Sequence, residues 1–387
     1  MRPERSFVLY EHPRFHAAFP SLAPLRDGGV LLAFRRARDP RWLLGEAAAR
    51  RASGWASHYD PRSHVCLLRL DGGLRADTEV DVLPFDPECA DQDASLLTLA
   101  DGRVALGSFS YYPFPSASAG FVLPEGADGL SGVEATSPLQ LTSFVLMGSF
   151  VCTSDDGGRT FGPRVRLPPL ARGGAQSLSG AMRGAMVEHE GAILAATYVD
   201  PAAFAGAGVT AVASSPHAPS AVAVHASLDG GRSFAHRHLV SDPTGRIGLH
   251  EPSLVRTAAG DVVLLCRTSH AGDRLVTARS HDGGHSFEPL TTHAVVGHPF
   301  AACPLPDGRI LLTYGYRHAP YGIRARIVDP DLRHIDDADE LVLRDDGLGV
   351  DLGYPWPVTL ADGRVLVAYY MTTTEGARRL EATILTT

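Results

Sequence analysis

"HEPSLVRTAAGDVVLLCRTSHAGDRLVTARSHDGGHSF", residues 250–287, holds one complete unit of a repeated pattern. It opens on a proline-containing segment, passes a glycine turn, runs through Val, Leu and Cys, and ends in Ser-x-Asp-x-Gly-x-Ser-Phe. Glycine supplies the positive φ that tight hairpins need, and β-branched and Leu runs favour strands, so the front of the unit reads as an antiparallel hairpin. The same front occurs five more times, at 19–34, 93–108, 183–198, 298–314 and 354–370. The closing turn recurs as "SDDGGRTF" at 154 and "SLDGGRSF" at 227. Its Asp and Ser/Thr side chains can bond the turn backbone while Phe packs beneath the sheet.

Six such units with no long helical segment between them predict an all-β fold, a six-bladed β-propeller of four-stranded blades. The units leave no second domain, so residues 1–387 read as a single domain. The last unit ends in "RRLEATILTT" and lacks a fourth strand, and "SFVLYEH" near the N-terminus is left over. That N-terminal strand is expected to close the last blade. Residues 113–142 and 201–220, rich in Ala, Gly, Ser and Pro, read as loops. The segment "WLLGEAAARRASGW" reads as a short helix in a blade-one insertion.

Composition narrows the function classes. A formal charge of -8 gives no reason to expect a polyanionic partner, which argues against nucleic acid. Five cysteines are an odd number without metal-like spacing, several inside apolar runs, and read as reduced core thiols. The N-terminus lacks the apolar core of a secretory signal and no run reaches the length of a membrane span, so a cytoplasmic protein without membrane attachment is expected. Nothing calls for a cofactor or a metal: His298 has no second ligand at metal-binding spacing.

In a propeller the start of each blade's first strand faces the axis. Counting back from each turn gives Phe19, Asp93, Met182 or Arg183, Glu251, His298 or Pro299, and Tyr354. This ring is too polar for a packed core and calls for partners or a ligand.

The Ser-x-Asp-x-Gly-x-Ser/Thr-Phe turns on six such units resemble the Asp-box (BNR) repeats of the sialidase (neuraminidase) superfamily. The resemblance covers essentially the whole chain. It implies a glycoside hydrolase of exo-α-sialidase type, acting on a terminal acidic sugar with retention, through a tyrosine nucleophile. Tyr354 in "GYPWPVTL", Glu251 in "HEPSLV" and Asp60 in "HYDPRSHVCLLRL" match the family's nucleophile, its paired glutamate and its acid/base. Arg267 matches one of three arginines that clamp the substrate carboxylate. The chain departs from the pattern where Ala18 stands in place of the first of these, and where Pro320 and Tyr321 stand at the last, with Arg317 and Arg324 nearby. Substrate contacts are therefore expected from Arg267, Arg183, Asp93, His298, Arg324, Arg317 and Tyr321. Two other classes fit the same propeller: a lyase or other glycosidase acting on a uronate-containing glycan, and a carbohydrate-binding propeller without catalysis.

Overall fold

A computed structural model describes residues 1–39, 41, 60–76, 79–115, 133–134, 142–172, 175–177, 179–199 and 220–386. Its described strands form six antiparallel blade sheets in a ring, with a separate two-stranded hairpin of Leu170–Arg172 and Ala175–Ser177. Blade one comprises Phe15–Pro24, Val30–Arg38, His64–Leu70 and Asp81–Val82. Blade four comprises Gly248–Arg256, Val262–Ser269, Arg274–Ser280 and Thr291–Val296, and blade five Phe300–Pro304, Ile310–Tyr316, Gly322–Val328 and Glu340–Arg344. Blade six is built from Gly353–Thr359, Val365–Thr372 and Arg378–Thr386, and its outer strand is Arg2–Tyr10. The N-terminal segment thus closes the last blade, pairing antiparallel with Arg378–Thr386 from Arg2↔Thr386 to Tyr10↔Leu380.

The second strand of every blade is almost wholly buried because its two faces look onto two neighbouring blades. In blade one, Leu32 and Phe34 face the cluster shared with blade six, while Leu31 and Ala33 face the one shared with blade two. Comparable clusters fill the remaining gaps. The three Asp-box turns have the expected internal bonding. In the second, Ser227 Oγ and Ser233 N donate to Asp229 Oδ1 at 2.8 and 2.9 Å, and Ser233 Oγ donates to Oδ2 at 2.6 Å. Phe161, Phe234 and Phe287 pack against the clusters between their own blade and the one before it, so each turn also seals a blade interface.

One expectation is adjusted. Part of the 113–142 stretch is not loop: the second strand of blade two runs over Val104–Pro115, and Val133–Glu134 pairs with the following strand, Thr142–Ser154. The pairing of these two long strands runs from Ser154↔Val104 to Thr142↔Pro115. The remainder of that stretch, the 201–219 stretch and the anticipated helix at 42–55 lie outside the described residues. All five cysteines are buried and unpaired, as their apolar contexts require.

Candidate functional site

Blades one, four and six start alike. Each carries a β-bulge at its axial end, between Ala18 and Ser21, His250 and Ser253, and Gly353 and Trp356. Inside each bulge one residue before a proline has a left-handed backbone: Phe19 at φ 57°, Glu251 at 48° and Tyr354 at 52°. Bulky residues are uncommon there, and a bulge re-aims the side chain it carries. Here it turns all three inward. They meet Asp93, Arg183 and Pro299 around a pocket on the axis to which every blade contributes. The alternatives left open by sequence are thereby resolved to Arg183 and Pro299, while Met182 lies in the core between blades two and three. The pocket's empty volume is about 340 Å³, its open mouth included.

At its floor the Tyr354 hydroxyl donates a short hydrogen bond to Glu251 Oε1, bridging blades six and four. Arg183 Nη1 reaches both partners at 3.1 Å, and Arg267 Nη1 donates to Glu251 Oε2 at 3.1 Å. Burial alone would raise the Glu251 pKa. The Arg267 and Arg183 guanidiniums and the Tyr354 hydroxyl more than reverse this and hold the carboxyl well below the ordinary range. Burial, then the Glu251 charge, push the Tyr354 phenol well above its usual value. The resting pair is a neutral phenol on a carboxylate. Asp93, fully buried, faces Arg183 Nε at 3.3 Å; burial raises its pKa to about 6 against the pull of Arg183 and Arg35.

Arg35 escaped the sequence reading. It sits directly across from Ala18, on the strand beside the place where the family pattern calls for an arginine. Its charge bears on Asp93 and Asp60, and its guanidinium stacks 5.7 Å from the Phe19 ring. The signal was in the repeat: Arg35 is the sixth residue of "VLLAFR" and Arg267 the sixth of "VVLLCR", each second in its blade. Arg317 donates to the Leu352 carbonyl and lies 5.7 Å over the Tyr354 ring. Among the described residues, Arg183, Arg267 and Arg317 act on Tyr354 and Arg35 acts on Asp93, four guanidiniums against the carboxyls of Glu251 and Asp93.

Four expected residues are placed differently. Asp60 is buried at the rim of blade one rather than in the pocket lining. Its two oxygens accept backbone amides of Arg38 at 2.5 Å and Arg62 at 2.8 Å, so it shapes a turn. Arg324 binds the carbonyls of Arg344 and Pro320, holding the outer strands of blade five together. Tyr321 packs in the cluster between blades five and six. His298 turns aside from the pocket to Asp273, Nε2 to Oδ2 3.1 Å, leaving Pro299 as the lining residue.

The model of the BNR repeat-like domain matches residues 140–367, more than half of the sequence. The chain belongs to the BNR repeat-like family. The structure also resembles a crystal structure of a protein of unknown function from Dyadobacter fermentans at 32% identity, covering 99% of this chain and 98% of the other, with a TM-score of 0.80. The NanB sialidase of Streptococcus pneumoniae aligns with a TM-score of 0.64 at 13% identity, over 98% of this chain and 70% of NanB. A Trypanosoma rangeli sialidase in complex with sialic acid aligns at 0.59 and 11% identity, over 99% of this chain and 57% of its own. At these identities the likeness establishes a shared propeller fold. No curated protein matches the sequence. The BNR turns described above are therefore family features, and the fold is a six-bladed propeller like that of the solved sialidases. No helix among the described residues is long and apolar enough to cross a membrane.

Proposed function

We propose that this propeller is a retaining glycoside hydrolase of sialidase type acting at the end of a glycan that carries an acidic sugar. The observation that carries the reading is the Tyr354–Glu251 contact, with Arg183 touching both groups. A phenol is a weak nucleophile until a neighbouring base accepts its proton, and Glu251 is bonded to that proton already. A neutral nucleophile also suits an anionic sugar, which a carboxylate would repel. The surplus of arginine charge around Tyr354 favours the same substrate class.

In the first step Tyr354 Oη bonds to the anomeric carbon, its proton passes to Glu251, and the bond to the leaving oxygen breaks. We assign the proton for that oxygen to Asp93 rather than Asp60. Asp93 lines the pocket and keeps its proton up to about pH 6, whereas both Asp60 oxygens are engaged by backbone amides. Water then attacks the glycosyl–tyrosine bond, gives its proton to Asp93, and Tyr354 recovers its own from Glu251.

A fluorinated analogue of an acidic glycoside tests the reading. Mass spectrometry of the digested protein should find the label on Tyr354, and Tyr354→Phe should lose turnover by roughly three orders of magnitude or more. Label on a carboxylate, or full hydrolysis by Tyr354→Phe, would overturn it. An unsaturated uronate product would point instead to a lyase.

A further inference from the structure

We propose that Asp273, His298 and His318 form a binding site for a divalent first-row metal ion of the zinc class, at the junction of blades four and five. The proposal is independent of the hydrolytic reading. His298 Nε2 lies 3.1 Å and His318 Nε2 3.4 Å from Asp273 Oδ2, and the three donor atoms all fall within 4.8 Å of one another. Zinc bound tetrahedrally at about 2.0–2.1 Å from its donors sets neighbouring donors about 3.3 Å apart, close to both measured distances. Two imidazoles and one carboxylate suit such ions and leave a coordination position open.

Backbone contacts bring the three residues together. Asp273 sits in the turn after the second strand of blade four, with a left-handed φ of 59° that aspartate tolerates. Gly297 N donates to the Asp273 carbonyl at 3.0 Å, which fixes the approach of His298. His298 N in turn donates to the carbonyl of Gly315 at 2.9 Å, three residues before His318. A side chain at Gly315 would meet the His298 carbonyl at 2.4 Å, so glycine is what permits this approach. The side chains grade from 7% exposed at His298 to 40% at Asp273 and 47% at His318, giving an ion an anchored donor and an entry path.

Charge and outer contacts set the affinity. Arg267 and Arg317 also act on His298, but Glu251 is paired with Arg267, and Asp273 supplies negative charge to the ion itself. His298 Nδ1 is buried without a hydrogen-bond partner among the described residues. Outer partners on a ligating histidine are typically worth about 10–100-fold in affinity, so binding should be weaker by that factor than at a fully supported site.

The test uses the full chain without a polyhistidine tag, titrated with zinc alone by calorimetry and assayed for retained metal after dialysis. One equivalent per chain is expected. Asp273→Asn and His318→Ala, both at partly exposed positions, should each weaken binding about a hundredfold or more. Their melting temperatures in metal-free buffer should match the parent, which separates lost ligation from lost folding. No uptake, or an equivalent retained with unchanged affinity in His318→Ala, would overturn the site; the three residues would then be only a hydrogen-bonded cluster.

Discussion

Asp93 is the residue whose environment makes the sharpest demand. Its folded pKa of about 6 lies above the roughly 3.9 of an unfolded aspartate. Below about pH 4 both states hold the proton and no penalty exists; between 4 and 6 the penalty grows, and above 6 it is complete, at about 2 to 3 kcal/mol. Asp93→Asn should therefore stabilise the fold in denaturant titrations at pH 7 and leave it little changed at pH 4. If Asp93 is the acid, kcat/KM for substrates with poor leaving groups should fall as pH rises through about 6. The same variant should lose that limb and spare substrates with good leaving groups. An unaltered pH profile in Asp93→Asn would return the acid role to Asp60. Tyr354 and Glu251 were legible in the sequence because the repeat fixes which position faces the axis. Arg35 was not, since comparison with a family motif directs attention to Ala18, and only strand pairing reveals the arginine opposite it.

At the scale of elements, the Asp-box turns follow from local chemistry, and they were read correctly for that reason. Hydrogen bonds from the Thr or Ser four residues on, from backbone amides and from the leading serine hold Asp156 and Asp229 well below the ordinary carboxylate range. For Asp282 burial opposes the same bonds and is outweighed. A depressed folded pKa gives stability that is fully present above the unfolded value near 4 and is lost as pH falls further. Asp229→Ala should accordingly lower the melting temperature at pH 7, with the difference from the parent shrinking toward pH 2. A constant difference would mean that the side chain acts through shape alone. The bulges at the starts of blades one, four and six were beyond sequence reasoning. So was the meeting of Asp273, His298 and His318, whose spacings match no ligand pattern because three turns from two blades supply them. The hairpin of blade two was hidden by Ala/Gly/Ser composition, which pairing overrides.

For the whole molecule, the repeat count announced the ring and its closure, since each unit needs a neighbour on both faces to bury its second strand. We extend this to a prediction that the described blades unfold as one cooperative domain. Phe7, Leu9 and Tyr10 pack against the cluster between blades six and one, and the strand carrying them pairs along its length with Arg378–Thr386. Losing half-buried apolar side chains and a ladder of net hydrogen bonds should cost about 5 kcal/mol or more. Deletion of residues 1–11 should thus lower the single melting transition of the entire chain. A truncated protein melting at the parent temperature, or two separate transitions, would count against closure by this strand.

That pairing also joins the first-made part of the fold to the last. During synthesis Arg2–Tyr10 emerges long before Arg378–Thr386 exists. At about 5–20 residues per second the ribosome needs roughly 20 to 75 s to make the intervening segment. Throughout that interval the strand has no native partner, while the blades behind it take shape one after another. Its outward-facing Arg2, Glu4 and Arg5 are exposed in the finished blade, and charge on an unpaired strand edge is what discourages pairing with another nascent chain. The segment that locks the ring is thus built to wait in water.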